Sequence, residues 1–438
     1  MRTSNPPTRS YRGYETKLSG APDLTLCEVG RGTPAGEYQR RFWHPIAYTS
    51  ELGKVPLRVR ALGEDLIAFK DGSGNHGVLH MRCCHRNTSL EYGIIEAHGV
   101  RCCYHGRLFD VDGTILEIPG EPLEARMIER LSQGAYPTHV FGGILFAYLG
   151  PPDRVPVFPM YDRFDLPGIS VVPGIRWSLQ CNWLQVKENA VDPHHTNFLH
   201  VLPQRRGVQH FADEFGNFPE LTWMETPGGV VYLAARTVVQ NVWVRSAEIL
   251  GANIHCISSI FEGGQERKLA TPPFLTAWTL PVDNDESITF YVSHVMENEA
   301  MPFEKRRALE NFGQILDRTY AERQWLPGDH EAQTGQGRIN IHALENLGTQ
   351  DRGIVMFRRL VRRGIDAVQR GEDPLGFYLH QSEVPPTFAN DRVLPVDVIS
   401  GNPQDPAVLR EFADRLGRDY LKAPPMPHLA RGGSNVVV

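Results

Sequence analysis

The sequence predicts an α+β protein, in which an antiparallel β unit is followed by a larger unit joining an antiparallel sheet to long helices. Three observations carry this. From Trp43 to about Pro152 the chain reads as short strands between frequent turns, and VPLRVRALGEDLIAFKDGSG alternates apolar and polar residues before breaking at glycines. Longer strand-like runs come next: GGVVYLAARTVV, FLTAWTLPVD and ITFYVSHVM. The segments PFEKRRALENFGQILDRTYAERQW and DRGIVMFRRLVRRGIDAVQRG then show helical periodicity. Strands followed by long helices mark the α+β class.

Taken in order, residues 1–40 are rich in Pro, Gly, Ser and charge and read as an N-terminal arm that ties down late or stays mobile. Residues 41–155 form the β unit. Within it, GRLFDVDGTILEIPG predicts a hairpin around Asp112-Gly113. HVFGGILFAYLG reads as one further strand, and PPDRVPVFP as a proline-rich linker. Residues 156–438 form the second unit. There WSLQCNWLQVKENAVD turns helical in its second half, and the Pro-rich stretch after Pro385 is expected to wrap the surface. No fixed-period repeat and no low-complexity tract interrupts this order.

Charge argues against nucleic acid as a partner. The 45 basic and 51 acidic residues leave a formal charge of −6, with no long basic block. The longest apolar stretch, near Val140 to Gly150, is too short to span a bilayer, and the N-terminus lacks an apolar signal core. A cytoplasmic protein is expected. Seven cysteines, an odd number, then argue for metal or redox chemistry over a disulfide framework.

Four cysteines form two doublets, each close to a histidine. One residue separates Cys83 from His85, sixteen separate His85 from Cys102, and two separate Cys102 from His105. Two short loops, each offering one thiolate and one imidazole, suit a [2Fe-2S] cluster with cysteines on one iron and histidines on the other. Structural zinc more often uses Cys-Cys pairs in each loop. Cys103-x-His105 is a competing pair. Cys84 and Cys103 are expected to be small buried filler, with a Cys84–Cys103 link as the sharper alternative.

A second constellation lies in ENAVDPHHTNFLH, Glu188 to His200. Two imidazoles, His195 and His200, with one carboxylate would make the facial triad of a mononuclear non-haem iron. Five residues apart, the two rings would sit about 140° apart on a regular helix. Pro193 disfavours helical geometry at Asp192, and a broken helix would let the rings converge. His194 is read as a neighbour. Asp192 could simply cap the next turn. Asn189 is a candidate to touch the metal ligands, or else a surface amide. The third ligand must come from downstream, where Asp317, Asp329, Glu331, Glu345 and Asp351 are available. Asp351 also suits the start of the Arg-rich helix.

CCHRNTSLEYG and VRCCYHGRLFDVDG resemble the Rieske domain of aromatic-ring-hydroxylating oxygenases. Two positions depart from the family pattern: Cys84 stands where proline is usual, and Arg107 where tryptophan is common. The pattern selects Cys102 over Cys103 as ligand. WLPGDHEAQTGQG, HALENLGTQDRG and LTAWTLPVD, which contains Trp278 and Asp283, resemble the phthalate dioxygenase and aromatic O-demethylase branch. The resemblance implies a helix-grip (START-like) catalytic unit, with Asp329 as the third iron ligand. It also implies that Asp192 bridges His195 and the His105 of a neighbouring subunit in a homotrimer.

On the same basis the expected activity is that of a terminal oxygenase, which hydroxylates or O-demethylates an aromatic acid such as a lignin-derived methoxylated aryl or biaryl. Ring cis-dihydroxylation of the phthalate type is the alternative. No G-x-G-x-x-G segment follows a strand, so NAD(P)H would act through a separate reductase, with or without a ferredoxin. Arg236 and Arg245 on predicted strands could pair with a substrate carboxylate, but are read first as exposed sheet charges. Two other classes stay open: an electron carrier with an idle catalytic unit, and a binding protein with two structural metals.

Overall fold

The computed structural model describes residues 13–122, 126–207, 213–258, 273–296, 318–380 and 382–425. Among these residues no helix is long and apolar enough to cross a membrane.

The N-terminal arm is partly built into the fold. Residues 13–21 are exposed, whereas α1 (Leu24–Cys27) and α2 (Pro34–Gln39) bury Leu26, Cys27, Ala35 and Tyr38. Thr33 caps α2 by accepting from the Gly36 N–H, and Pro34 presets the first turn.

Three small antiparallel sheets come next among the described residues. β1 (Trp43–Tyr48) lies in one with β10 (Thr138–Phe141) and β11 (Ile144–Tyr148). The second contains β2 (Leu57–Ala61), β3 (Glu64–Lys70), β4 (His76–His80) and β9 (Ala135–Tyr136). The third contains β5 (Ile94–Ile95), β6 (Val100–Arg101), β7 (Leu108–Phe109) and β8 (Ile115–Glu117). The β7–β8 hairpin turns at Asp112-Gly113 as the sequence predicts, with Gly113 at φ +85°. HVFGGILFAYLG is two strands where one was expected. Gly142 and Gly143 both have positive φ, the conformation of a tight two-residue hairpin turn, so β10 folds back on β11.

The larger half is built on one long antiparallel sheet. It comprises β12 (Ile169–Leu179), β13 (Glu220–Glu225), β14 (Gly229–Val238), β15 (Asn241–Leu250), β16 (Ile254–Ser258), β17 (Pro273–Asp283) and β18 (Glu286–Met296). Their order is β12-β18-β17-β16-β15-β14-β13, and β19 (Arg392–Pro395) pairs with β15. Four helices pack on or beside this sheet: α3 (Trp183–Ala190), α4 (Asp329–Thr334), α5 (Arg352–Gln369) and α6 (Pro406–Lys422).

The strand period of two decides which face each residue serves. Val231, Leu233 and Ala235 on β14, with Val242 and Val244 on β15, pack against Leu409, Phe412 and Leu416 of α6. Tyr232, Arg245, Ala247, His255, Ala277 and Tyr291 point the other way, into a cavity bordered by α3. The long helix α5 closes over α2, and the two touch so closely that a Cβ on Gly364 would lie 2.3 Å from the Tyr38 ring.

The C-terminal stretch corrects the sequence reading. Residues 387–391 are buried, Asp391 accepts from the Ser246 N–H and from Arg245, and the chain ends its described part on a long helix capped by Asp405. Of the helix expected over residues 302–325, the described part is Tyr320–Trp325, and the rest lies outside the described residues.

Candidate metal centres

The two Cys-His loops share one backbone design. The Cys83 N–H donates to Thr88 O at 2.9 Å, and the Asn87 N–H returns to Cys83 O at 2.9 Å. In the second loop the Cys102 N–H donates to Arg107 O at 2.8 Å, and the Gly106 N–H returns to Cys102 O at 3.1 Å. Each loop needs a left-handed residue four positions after its cysteine, supplied by Asn87 (φ +62°) and Gly106 (φ +73°). The result puts Cys83 and Cys102 inside and His85 and His105 outside, with imidazole centroids 4.6 Å apart.

Burial, with the neighbouring Cys102 thiol adding to it, pushes the Cys83 thiol up to about 11. Two buried thiols side by side become thiolates only when cations lie between them, so this donor set fits a cluster. Cys103 faces solvent while Cys102 is buried beside Cys83, an arrangement that favours Cys102 over the competing pair. The buried-filler reading of Cys84 and Cys103 is wrong: both are exposed free thiols, because each follows an inward-pointing ligand in a tight loop. Gln133 was not singled out in the sequence. It is buried, accepts from the Cys84 N–H and donates to the carbonyls of His80 and Arg82, bracing the first loop.

The second set is built on α3. Asn182 caps the helix by accepting from the Leu184 N–H at 3.0 Å. Pro193 ends helical pairing, and Asp192 Oδ1 accepts from the His194 N–H at 2.9 Å, a local side-chain turn at the break, while Pro193 stands at the cap of the turn that follows. The chain then tightens into a three-residue-per-turn helix over His194–Asn197. This break brings the His195 and His200 rings to 5.1 Å between centroids. Asp329, at the start of α4, sits between them: Oδ1 is 3.5 Å from His195 Nε2 and Oδ2 is 3.4 Å from His200 Nε2. All three offer ligand atoms within 4.8 Å of one another.

The surroundings suit a divalent ion. His195 Nδ1 contacts the Asp192 carbonyl, which turns Nε2 toward Asp329. Burial holds the His195 imidazole below its ordinary pKa, in the neutral form that ligates metals. Asn189 Nδ2 donates to Asp329 Oδ1 at 3.3 Å, so its side chain touches the ligand set. The other downstream acids are engaged elsewhere. Glu331 accepts from Arg318 and the Gly328 N–H, Glu345 pairs with Arg358, and Asp351 precedes α5 while accepting from the Gly348 N–H. Asp317 lies outside the described residues.

A further cluster of Glu188, His342 and Glu345 has ligand-like spacing. Arg358 already supplies its cation, bonding Glu188 at 2.5 and 3.0 Å and Glu345 at 2.6 and 2.8 Å. This network and the Gln185 bonds to the Gln333 and Gly337 carbonyls tie α3 to its neighbours. Neither was legible in the sequence, since the bonds of Glu188 and Gln185 join residues over 140 positions apart.

A cavity of about 130 Å³ opens beside the His195–His200–Asp329 set. Trp177, Leu179, Tyr232, Ala247, Ile257 and Tyr291 make much of its wall. Its polar groups include Lys187, Arg245 and His255. The reading of Arg236 and Arg245 as exposed sheet charges is overturned, because both lie on the inner face and are 1% and 5% exposed. Arg245 Nη1 bonds Asp391 at 3.1 Å, whereas the Arg236 guanidinium stacks over Trp243 at 4.9 Å.

Residues 42–128 match the Rieske [2Fe-2S] domain. The chain is 37% identical to the oxygenase subunit of tert-butanol monooxygenase / tert-amyl alcohol desaturase from Aquincola tertiaricarbonis, over 93% of this chain and 91% of that one. It is also 37% identical to the alpha subunit of phenoxybenzoate dioxygenase from Ectopseudomonas oleovorans, over 84% of this chain and 90% of that one. Among solved structures, NdmB from Pseudomonas putida CBB5 superposes with a TM-score of 0.60 at 21% identity, covering 78% of this chain and 94% of that one, a likeness of fold.

Proposed function

The chain belongs to the Rieske non-haem iron oxygenases as an oxygenase (alpha-type) subunit, and we propose that it is the terminal component of a multicomponent system that oxidises a small aromatic acid. In this reading residues 41–155 hold the [2Fe-2S] cluster through Cys83, His85, Cys102 and His105. Residues 156–438 hold a mononuclear iron through His195, His200 and Asp329. Iron at that site supplies the redox chemistry that lets O2 react with an organic substrate. The single observation carrying the proposal is the convergence of His195, His200 and Asp329 beside a mostly apolar cavity.

The chain's own residues have defined tasks here. Asn189 steadies the Asp329 carboxylate, and the Asp192 carbonyl orients His195. The apolar walls exclude water and hold one ring. A cavity of about 150 Å³ accommodates benzene, so about 130 Å³ favours a single ring over a biaryl. Electrons come from NAD(P)H through a separate reductase, with or without a ferredoxin. Asp192 links His195 to the His105 of a neighbouring copy in a homotrimer.

Hydroxylation or O-demethylation is the reaction we favour, and the likeness of LTAWTLPVD to the branch that contains both phthalate dioxygenases and O-demethylases keeps ring cis-dihydroxylation as the alternative. Formaldehyde release would separate demethylation from ring cis-dihydroxylation. The carrier reading requires the second donor set to be idle, which its close approach in the interior disfavours. His195→Ala tests the proposal. The variant should keep the visible cluster spectrum and lose substrate-dependent oxygen uptake. Undiminished coupled turnover would reject the second site.

A further inference from the structure

Lys187 is an anomaly of the cavity wall. It lies on α3 one turn before Val191, lines the cavity and is 1% exposed. A lysine at a helix surface ordinarily lays its methylenes over apolar neighbours and carries its ammonium out to water. Here the ammonium stays inside. Among the described residues, the electrostatic neighbour that favours its charge is the Cys256 thiol, and no carboxylate there answers it. Leaving a buried ammonium unpaired is strongly unfavourable.

The neighbouring groups make the deficit larger. His255 is flanked electrostatically by Lys187, Arg163, Arg245 and His195, all of them bases. Its Nε2 is buried without a hydrogen-bond partner among the described residues. Arg245 has a counter-charge in Asp391, and Arg163 donates to the carbonyls of Ile257 and Leu275. Arg236, next to Arg245, has no hydrogen-bond acceptor among the described residues at Nε, Nη1 or Nη2. The acids that line the cavity, Asp192 and Asp329, are engaged at the histidine end. The wall formed by α3, β15 and β16 therefore presents more basic than acidic side chains to the cavity.

We propose that Lys187 anchors an anionic group of the substrate, a carboxylate in the simplest case, and thereby selects acids over neutral molecules of the same size. The inference rests on the reading of this cavity as the substrate site. A carboxylate there would receive a charge-assisted hydrogen bond from the ammonium, and His255 Nε2 offers a second donor on the same wall. The apolar remainder of the acid would then fill the space toward His195 and His200.

Two ligands of equal size and different charge test this: benzoate and benzamide, titrated calorimetrically into the purified holoprotein. The wild type should bind benzoate at least about tenfold more tightly than benzamide, the effect of one charge-assisted hydrogen bond. Lys187→Met should lose that preference while binding benzamide as before, and its melting temperature should not fall, since an unpaired buried charge is removed. Lys187→Arg should keep most of the preference. Equal binding of the two ligands by the wild type, or an undiminished preference in Lys187→Met, would overturn the proposal. The charge preference should survive in His195→Ala, so its failure is distinguishable from failure of the oxygenase reading.

Discussion

Replacing Arg358 by leucine removes the cation that Glu188 and Glu345 share among the described residues. The side chains of the three are 14%, 7% and 17% exposed, so water cannot take over. Breaking a buried ion pair costs about 3–5 kcal/mol, a large share of the stability of an ordinary domain. Two carboxylates are stripped here, but the loss need not double, because Glu188 has an escape. Burial already pushes its pKa up to about 7 against the pull of Arg358, and without Arg358 it rises further. A carboxyl whose folded-state pKa lies above its unfolded value of about 4.3 binds an extra proton when folded, so stability falls as pH rises between the two values. The deficit of Arg358→Leu relative to wild type should therefore grow from pH 5.5 to pH 8.5. Glu188 adjoins Asn189, which bonds Asp329, so iron at the second site should be lost while the cluster spectrum remains. Thermal melting at the two pH values, with iron content per chain, measures both effects. Arg358→Leu combined with Glu188→Leu should recover much of the loss. Wild-type melting and full iron at both pH values, or a double variant no better than the single one, would refute the reasoning.

Other outcomes rest on the same geometry. Glu248 is fully buried, hydrogen-bonded by Thr226 and the Phe388 N–H, and pushed by burial up to about 8. Its folded state holds a proton that the unfolded chain releases, so Glu248→Gln should gain stability relative to wild type as pH rises from 5 to 8, by at most about 1.4 kcal/mol per unit; equal slopes in urea unfolding would contradict this. Asp192→Asn keeps an acceptor for the His194 N–H, so both metals should stay bound while electron delivery slows. Single-turnover kinetics would reveal it, and an unchanged rate would exclude the bridging role.

The candidate site was more legible than the fold that carries it. Cysteine and histidine at short spacings announce a metal whatever the architecture, and Pro193 announced the break that lets His195 and His200 converge. The third ligand was not readable from spacing alone, because Asp329 meets the histidines only through tertiary folding. Local signals also misled. The glycines of HVFGGILFAYLG were absorbed into one strand although paired positive-φ glycines make a turn. Arg236 and Arg245 look like solvent-facing strand residues until both sides of the sheet are seen to be covered, one by α6 and the other by α3 and the cavity. Composition suggested a loose arm and a surface tail where Tyr38 and Asp391 are core residues. Burial of that kind depends on partners more than a hundred positions away.

The most direct test of the account is metal and acid-labile sulfide analysis of the purified chain, in wild type and in His195→Ala. Two donor sets, one for a [2Fe-2S] cluster and one for a mononuclear ion, predict about three irons and two sulfides per wild-type chain, falling to two and two in the variant. Two irons in the wild type would remove the second centre and leave an electron carrier. Zinc with no sulfide would contradict the account at both sites.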